Sequence, residues 1–183
     1  MYPKLLQPNS TEDFIISGKV IQIPKCIIQF KKWAGVELKE NFGGKPIIEI
    51  NKKPMFAELA IMNLIIQSGW QAIWVETYAR LNKEPFYMSD WDFEKSYKNQ
   101  IHTVIPKKQI SEMLAGIAKL NNGSYSGCWD VLGWNGNQII FAESKRLRKD
   151  RIQDTQNGWL EAGLRYGLKP ENFMVVQWDF EKD

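Results

Sequence analysis

The chain has 183 residues, of which 44% are hydrophobic and 25% are charged, and its formal net charge is +3. This length supports one hydrophobic core, so we expect a single domain over residues 1–183. The sequence has no apolar run of the roughly 18 residues that cross a bilayer, and its first residues lack the basic-then-apolar order of a signal peptide. We therefore expect a cytoplasmic protein without a membrane partner.

Residues that bind soft metals are scarce. Cys26 and Cys128 lie far apart in the chain, and His102 is the sole histidine. These residues give no reason to expect a disulfide or a zinc site, and we expect both cysteines to be buried. Metal chemistry would have to use carboxylates, which suit Mg²⁺ or Mn²⁺.

The first 53 residues predict a β-rich N-terminal extension. Short segments typical of strands occur at 18–23 and 46–50. The pattern is interrupted at Pro24 and at Gly43-Gly44, which favour turns. We expect 1–53 to lie outside the functional core.

A helix and a strand are predicted next. Pro54 favours the first turn of a helix over Met55–Ser68, which is apolar on nearly every side and ends at Gly69. Such a helix is expected to be buried. The residues Trp70–Ala79 follow it and predict a strand.

Residues 80–123 predict an insertion. Its first part is polar, aromatic and irregular up to His102, and Pro106 then opens a modest helix that ends at Asn121-Asn122-Gly123. The aromatic residues of the insertion could form a dimer surface, a base-stacking surface or a small second core, and we favour packing. These residues are Phe86, Tyr87, Trp91, Phe93 and Tyr97.

A β-hairpin is the clearest pattern in the chain. One strand runs through Asp130 to Trp134, a tight turn follows at Asn135-Gly136-Asn137, and a second strand covers 138–145. The stretch after the hairpin predicts a helix capped at Asp150, with Gln153 in a position like that of a capping box. A last strand is predicted at Phe173–Phe180.

Three polar side chains of this hairpin are candidates for chemistry. Residues two apart in a strand share a face, so Glu143 and Lys145 point together while Ser144 points away. Asp130 of the partner strand is expected across from Glu143, and two converging carboxylates repel unless a cation lies between them. A hard divalent cation would polarise a phosphoryl oxygen and activate water, and Lys145 could orient that water. The alternative is an exposed cross-strand ion pair.

Two polar residues of the predicted helices add to this group. Gln156 falls on the inner face of the helix predicted after the hairpin, so its amide is expected to be buried and to need partners. Glu58 is nearly the only charged residue of the first helix, and a buried carboxylate must be paired or bound to metal. A first-turn glutamate stabilised by the helix dipole is the alternative for Glu58.

A basic run follows the second hairpin strand. Five of the seven residues of Lys145–Arg151 are cationic, which predicts a strip that binds phosphates, or alternatively a solvated loop. The candidate DNA-binding residues of this strip are Arg146, Arg148, Lys149 and Arg151.

The segment Phe141-Ala142-Glu143-Ser144-Lys145, together with Lys149–Leu160, resembles the VRR-NUC branch of the PD-(D/E)XK nuclease superfamily. In that branch a Glu-X-Lys strand leads into an Asp-Arg-Leu-Ser-like turn, then Gln, two residues, and Trp-Ile or Trp-Leu. The similarity covers about 125–178 well and the helix of Glu58 loosely. Trp129 stands where the superfamily name places Pro.

The resemblance implies an α/β, restriction-endonuclease-like core of helix, strand, strand, strand, helix and strand, with a mixed central sheet flanked by helices. This core would occupy 54–79 and 124–183. The resemblance implies that Asp130 and Glu143 bind Mg²⁺ or Mn²⁺, Lys145 assists the attacking water, Gln156 supports the site and Glu58 adds a ligand through water. Ser144 completes the candidate metal ligands.

The resulting hypothesis is a metal-dependent DNA endonuclease that acts on branched or flapped DNA in repair or recombination, as a homodimer. One alternative is a sequence-specific restriction or defence endonuclease, which ranks lower because no element that reads the major groove is recognisable. The other is a catalytically silent DNA-binding module. The complete set of Asp130, Glu143, Lys145 and Gln156 argues against that module.

Overall fold

The computed structural model describes residues 2–78, 80 and 83–182. In chain order the elements are β1 (Ser10–Ile16), β2 (Lys19–Lys32), β3 (Ile48–Ile50), β4 (Lys53–Met55), α1 (Ala57–Gln67), β5 (Gln71–Glu76), β6 (Phe86–Met88), α2 (Lys108–Leu120), β7 (Val131–Asn135), β8 (Gln138–Arg146), α3 (Asp154–Tyr166) and β9 (Phe173–Phe180). Single 3₁₀ turns occur at Tyr97–Asn99 and Pro170–Asn172.

One sheet organises these elements. Its strand order is β4-β3-β2-β9-β8-β7-β5-β6, and β1 pairs with β2. The β2–β9 and β8–β9 pairs are parallel, whereas β5, β7 and β8 pair in antiparallel fashion. The fold is therefore a mixed α/β structure with a mixed central sheet, as the family resemblance implied.

The two faces of the sheet are covered by different helices. Residues that alternate along the strands fall into two buried clusters, as the period of two requires. Trp74 and Ala142 pack in the cluster that contains α1. Ile73 and Phe141 pack in the cluster that contains α2 and α3. None of the helices in the part of the chain that the structure describes is long and apolar enough to cross a membrane.

The expected break at Pro24 is wrong, since β2 continues through it. Pro24 lies opposite Thr11 of β1, and pairing of β2 with β9 begins only at Lys25. The missing N–H of Pro24 thus precedes the part of the strand that is paired on both sides, a place where proline is tolerated. The predicted extension consequently supplies a strand next to β9 in the central sheet.

The predicted starts of the first helix and of the helix after the hairpin are also wrong. Pro54 lies in β4, opposite Glu49 at the edge of the sheet, and α1 begins at Ala57. α3 begins at Asp154 rather than just after Asp150. The Asp150 carboxylate instead accepts a hydrogen bond from the Arg146 N–H at 2.7 Å, so it closes the turn after β8.

The segment after α1 is more ordered than predicted. β5 ends at Glu76, and Ala79, the expected end of that strand, lies outside the described residues, as do Leu81 and Asn82 of the predicted insertion. Within the insertion, β6 pairs with β5 and extends the sheet. Tyr87 and Trp91 are buried, as expected for packing.

Candidate functional site

The hairpin of β7 and β8 positions the first carboxylate. Val131 pairs with Ala142, so Asp130 and Glu143 occupy the next positions along the two strands. The Asp130 carboxylate accepts a hydrogen bond from the Ser144 N–H at 2.9 Å. Its main-chain oxygen accepts one from the Val75 N–H at 2.8 Å. Asp130 is therefore fixed where β5, β7 and β8 meet.

Glu143 lies at the centre of a group of polar side chains. Its Oε1 accepts hydrogen bonds from Lys145 Nζ at 2.9 Å and from Gln156 Nε2 at 2.5 Å. Glu143 is 1% exposed, and its Oε2 is buried without a hydrogen-bond partner among the residues described. One carboxylate oxygen is thus held by two side chains, while the other has no side-chain donor among the described residues.

The first turn of α3 sets the orientation of Gln156. Its Oε1 accepts a hydrogen bond from the Gln153 N–H at 2.8 Å, so its Nε2 is left for Glu143. This turn approaches the chain at Gly127, where a Cβ would lie 2.0 Å from the main-chain oxygen of Thr155. Gly127 also has φ +78°, so only glycine suits both the space and the backbone there.

Glu58 is not isolated on α1 as its sequence context suggested. Its Oε1 forms an ion pair with Lys45 Nζ at 2.6 Å, and the Glu58 side chain is 12% exposed. The Lys45 ammonium also lies 5.0 Å from the centroid of the Phe42 ring and 5.3 Å from that of Trp74. The charge near α1 is therefore balanced by a lysine that the sequence did not identify.

Lys45 carries no local signal of function. It follows Gly43-Gly44 in the predicted extension, a pattern that indicates only a loop. In the structure Lys45 faces three carboxylates. Burial lowers the pKa of Lys45, but the negative charges of Glu58, Asp130 and Glu76 outweigh it and raise that pKa to about 12. Lys45 is thus a permanent cation of the site.

Lys45 is always charged, whereas the pKa values of the two central carboxylates, Asp130 and Glu143, are raised. Burial raises the pKa of Glu143 to about 7, although the charge and hydrogen bond of Lys145 oppose the shift. Burial and the charges of Glu143 and Glu58 raise the pKa of Asp130 well above its usual value, against the opposing effect of Lys45. Each carboxylate is therefore costly to ionise without a further cation.

These groups surround a cavity of about 480 Å³, which we call the catalytic cavity. It is lined by Lys45, Glu58, Asp130, Glu143, Lys145 and Gln156, together with Ser144, Arg146, Lys149 and Asp150. Ser144 is placed differently from the other candidates, because its hydroxyl accepts a hydrogen bond from Trp178 Nε1 at 3.0 Å. The structure thus brings the predicted site residues to one place and adds Lys45.

The basic strip divides into two parts. Arg146 forms an ion pair with Asp179 at 3.4 Å, and its guanidinium lies 4.5 Å from the centroid of the Phe180 ring. Arg148, Lys149 and Arg151 are exposed. The strip therefore presents three solvated cations beside the catalytic cavity, while Arg146 is partly engaged in packing.

The donor set suits a hard divalent cation bound with few protein ligands. Among residues 2–78, 80 and 83–182, no three His, Cys, Asp or Glu side chains group closely enough to hold a metal by themselves. Asp130 and the unpaired oxygen of Glu143 nevertheless line one cavity. Mg²⁺ is often bound by one or two carboxylates while it keeps several waters. Two carboxylates with an orphaned oxygen fit that pattern.

Comparison with known proteins agrees with the local sequence. The family model described as "VRR-NUC domain" matches residues 67–176, more than half of the chain. The matched segment includes Asp130, Glu143, Lys145 and Gln156 but neither Lys45 nor Glu58. Comparison with curated proteins and with solved structures gave no match.

Proposed function

The chain belongs to the VRR-NUC domain family, a family of nuclease domains, and on this basis we propose that it is a Mg²⁺- or Mn²⁺-dependent DNA endonuclease. The observation that carries the metal dependence is the Glu143 carboxylate. It is almost fully buried beside Asp130, and one of its oxygens has no hydrogen-bond partner among the described residues. Lys145 and Gln156 satisfy the other oxygen, and a cation bound by Oε2 and Asp130 would compensate the burial of the two carboxylates.

The charges around the catalytic cavity support the same proposal. Lys45 forms an ion pair with Glu58, and Lys145 forms one with Glu143, whereas Asp130 has no ion pair among the described residues. A bound divalent cation would balance the remainder. It would supply Lewis-acid polarisation of a phosphoryl oxygen and a more acidic bound water.

The side chains of the site have separate tasks in hydrolysis. Asp130 and Glu143 would hold the metal, with Glu58 and Ser144 as further candidates. Gln156 holds Glu143 Oε1, while Oε2 has no hydrogen-bond partner among the described residues. Lys145 would hold the attacking water by a hydrogen bond and stabilise the negative charge that develops on the phosphate. Water attack on phosphorus forms one P–O bond and breaks the bond to the leaving nucleotide oxygen.

We further propose branched or flapped DNA as the substrate and a homodimer as the working form. The exposed cations Arg148, Lys149 and Arg151 lie beside the catalytic cavity, where they could contact phosphates on either side of the cleaved bond. A sequence-specific endonuclease and a catalytically silent DNA-binding module remain the alternatives that the experiment must separate.

The test is cleavage of linear, flapped and four-way DNA by the wild type and by the Asp130→Asn and Glu143→Gln variants. Cleavage should require Mg²⁺ or Mn²⁺, cease in EDTA, and favour the flapped or four-way substrate. Each variant should nearly abolish it, whereas Glu112→Gln, a change at an exposed carboxylate on α2, should leave it unchanged. Full activity in excess EDTA would exclude the metal site, and DNA binding without cleavage by the folded wild type would favour the silent module.

A further inference from the structure

A second cavity, of about 810 Å³, lies next to the catalytic cavity. We call it the aromatic cavity because Phe42, Tyr78 and Tyr97 line it. Lys45 and Asp130 line both cavities, so the two are contiguous at the site itself. A nucleic-acid strand with a phosphate in the catalytic cavity would therefore have its neighbouring nucleotide beside the aromatic cavity.

The aromatic walls are held in place by the fold. The rings of Phe42 and Tyr97 stack with centroids 4.9 Å apart and an interplanar angle of 7°. The Tyr97 hydroxyl donates a hydrogen bond to the main-chain oxygen of Tyr78 at 3.1 Å. The buried Glu76 carboxylate accepts one from the Tyr78 N–H at 2.6 Å. These contacts fix the rings of Phe42 and Tyr97 and the backbone of Tyr78 at the rim of the cavity.

Tyr78 is the aromatic residue of this cavity whose side chain is accessible to a ligand. Its side chain is 66% exposed, although it stands at 89° to Phe42 and at 85° to Tyr97 in edge contacts. Nearby aromatic residues such as Trp74 and Trp91 are buried and serve the core. Exposure of one aromatic ring beside a catalytic cavity is consistent with binding rather than packing.

The charges of the aromatic cavity exclude a phosphate from its interior. Glu40 and Glu76 line it, and the Lys45 charge is already paired with Glu58. A neutral flat group meets no such repulsion. The exposed Lys98 also lines this cavity, where its ammonium can receive the phosphate attached to that group. The lining thus suits a nucleobase inside the cavity and the sugar-phosphate backbone at its mouth.

We propose that the aromatic cavity binds an unpaired nucleobase of the substrate strand, adjacent to the nucleotide whose phosphate enters the catalytic cavity. The inference rests on the proposed function and narrows its substrate to DNA with a single-stranded segment at the cleavage point. A base in a duplex is paired and stacked on its neighbours and cannot reach Tyr78 without leaving the helix. The volume lies within the roughly 300–1,000 Å³ of small-molecule sites. Stacking on an aromatic side chain is tolerant of base identity, so any of the four bases should bind.

The test measures binding in EDTA, so that it does not depend on cleavage. The probes are a plain duplex and a duplex with a short flap that carries the fluorescent base aminopurine at its first unpaired position. Tyr78→Ala should weaken flap binding by about 10-fold, within the range for one lost stacking partner, and should remove the quenching of aminopurine. Duplex affinity should be unchanged, and Tyr78→Phe should retain both flap affinity and quenching.

Tyr166→Ala is the matched control, because Tyr166 is a partly exposed tyrosine on α3. If Tyr78→Ala lost equal affinity for the flap and for the duplex, or lost affinity for neither, the inference would be overturned. Loss of self-association in Tyr78→Ala with unchanged flap binding would also overturn it and assign the cavity to a second copy of the chain. If Tyr78→Ala were unfolded, Lys98→Ala would test the same site. We expect a smaller loss of affinity for the flap alone, and an equal loss of affinity for the duplex would contradict the inference. Flap-selective binding without any metal-dependent cleavage would refute the proposed function alone.

Discussion

Replacement of Glu143 by glutamine should make the metal-free protein more stable at alkaline pH. The folded protein raises the pKa of Glu143 from 4.5 to about 7. When folding raises the pKa of a carboxyl group, the folded protein is most stable at a pH below the pKa of that group in the unfolded chain. Stability is then lost as pH rises from about 4.5 to about 7. The neutral amide of Glu143→Gln resembles the protonated form and avoids this loss.

The size of the effect follows from the same pKa. Compared with a side chain that stays neutral, Glu143 should lower the free energy of unfolding by about 3 kcal/mol at pH 8 and by about 1 kcal/mol at pH 5, since a shift of one pKa unit corresponds to about 1.4 kcal/mol. At pH 5 the loss arises because the unfolded chain ionises Glu143 while the folded protein keeps it protonated. For a chain of this length, 3 kcal/mol raises the melting temperature by about 6–12 °C. Asp130 should add to the gain at pH 8, because the Glu143 charge also raises the Asp130 pKa.

The assay is thermal unfolding in EDTA at pH 8 and pH 5, with Glu112→Gln as the control. The gain of Glu143→Gln over the wild type should shrink about threefold at pH 5. Added Mg²⁺ or Mn²⁺ should then stabilise the wild type, by about 2.7 kcal/mol at a hundred times the Kd, and should not stabilise the variant. An equal or lower melting temperature of Glu143→Gln at pH 8 would refute the reasoning, as would a gain that does not depend on pH.

Three other changes test neighbouring parts of the site. Lys145→Met should lower the single-turnover rate in Mg²⁺ at least about 100-fold while DNA affinity in Ca²⁺ falls only slightly, because a positioned proton-transfer group acts on the chemical step. Weaker binding at an unchanged rate would instead make Lys145 a phosphate anchor. Alanine at Arg148 and Lys149 should weaken DNA binding and reduce the salt slope by about 0.9 for each lost phosphate contact, and an unchanged slope would contradict this. Gly127→Ala should destabilise the protein in urea unfolding, because its Cβ would overlap the Thr155 oxygen; a wild-type midpoint would show that α3 can move away.

The parts of the site that depend on local periodicity could be predicted from the sequence. Glu143 and Lys145 share a face because a strand has a period of two, and the turn between β7 and β8 fixes the position of Asp130. Gln156 was placed by helical spacing, and its capping contact with Gln153 explains why α3 begins at that point.

The parts that depend on contacts distant in sequence could not be predicted. Lys45 reaches the site only because the segment that contains it packs against α1 and places its ammonium beside Glu58. Pro54 has the same local preference in a first helical turn as in an edge strand, and pairing with Glu49 selects the strand. Both outcomes depend on contacts with residues distant in sequence, so the local segment does not determine them.

The position of β9 has a consequence for fragments of this protein. β9 is flanked by β8 on one side and by β2 on the other, although β2 comes from a distant part of the chain. A fragment limited to 67–176 would lack β2 and leave an apolar strand edge, including Val175 and Val176, without a partner. Unprotected edges of this kind template intermolecular pairing. We expect such a fragment to aggregate or exchange strands between copies, even though it contains Asp130, Glu143, Lys145 and Gln156.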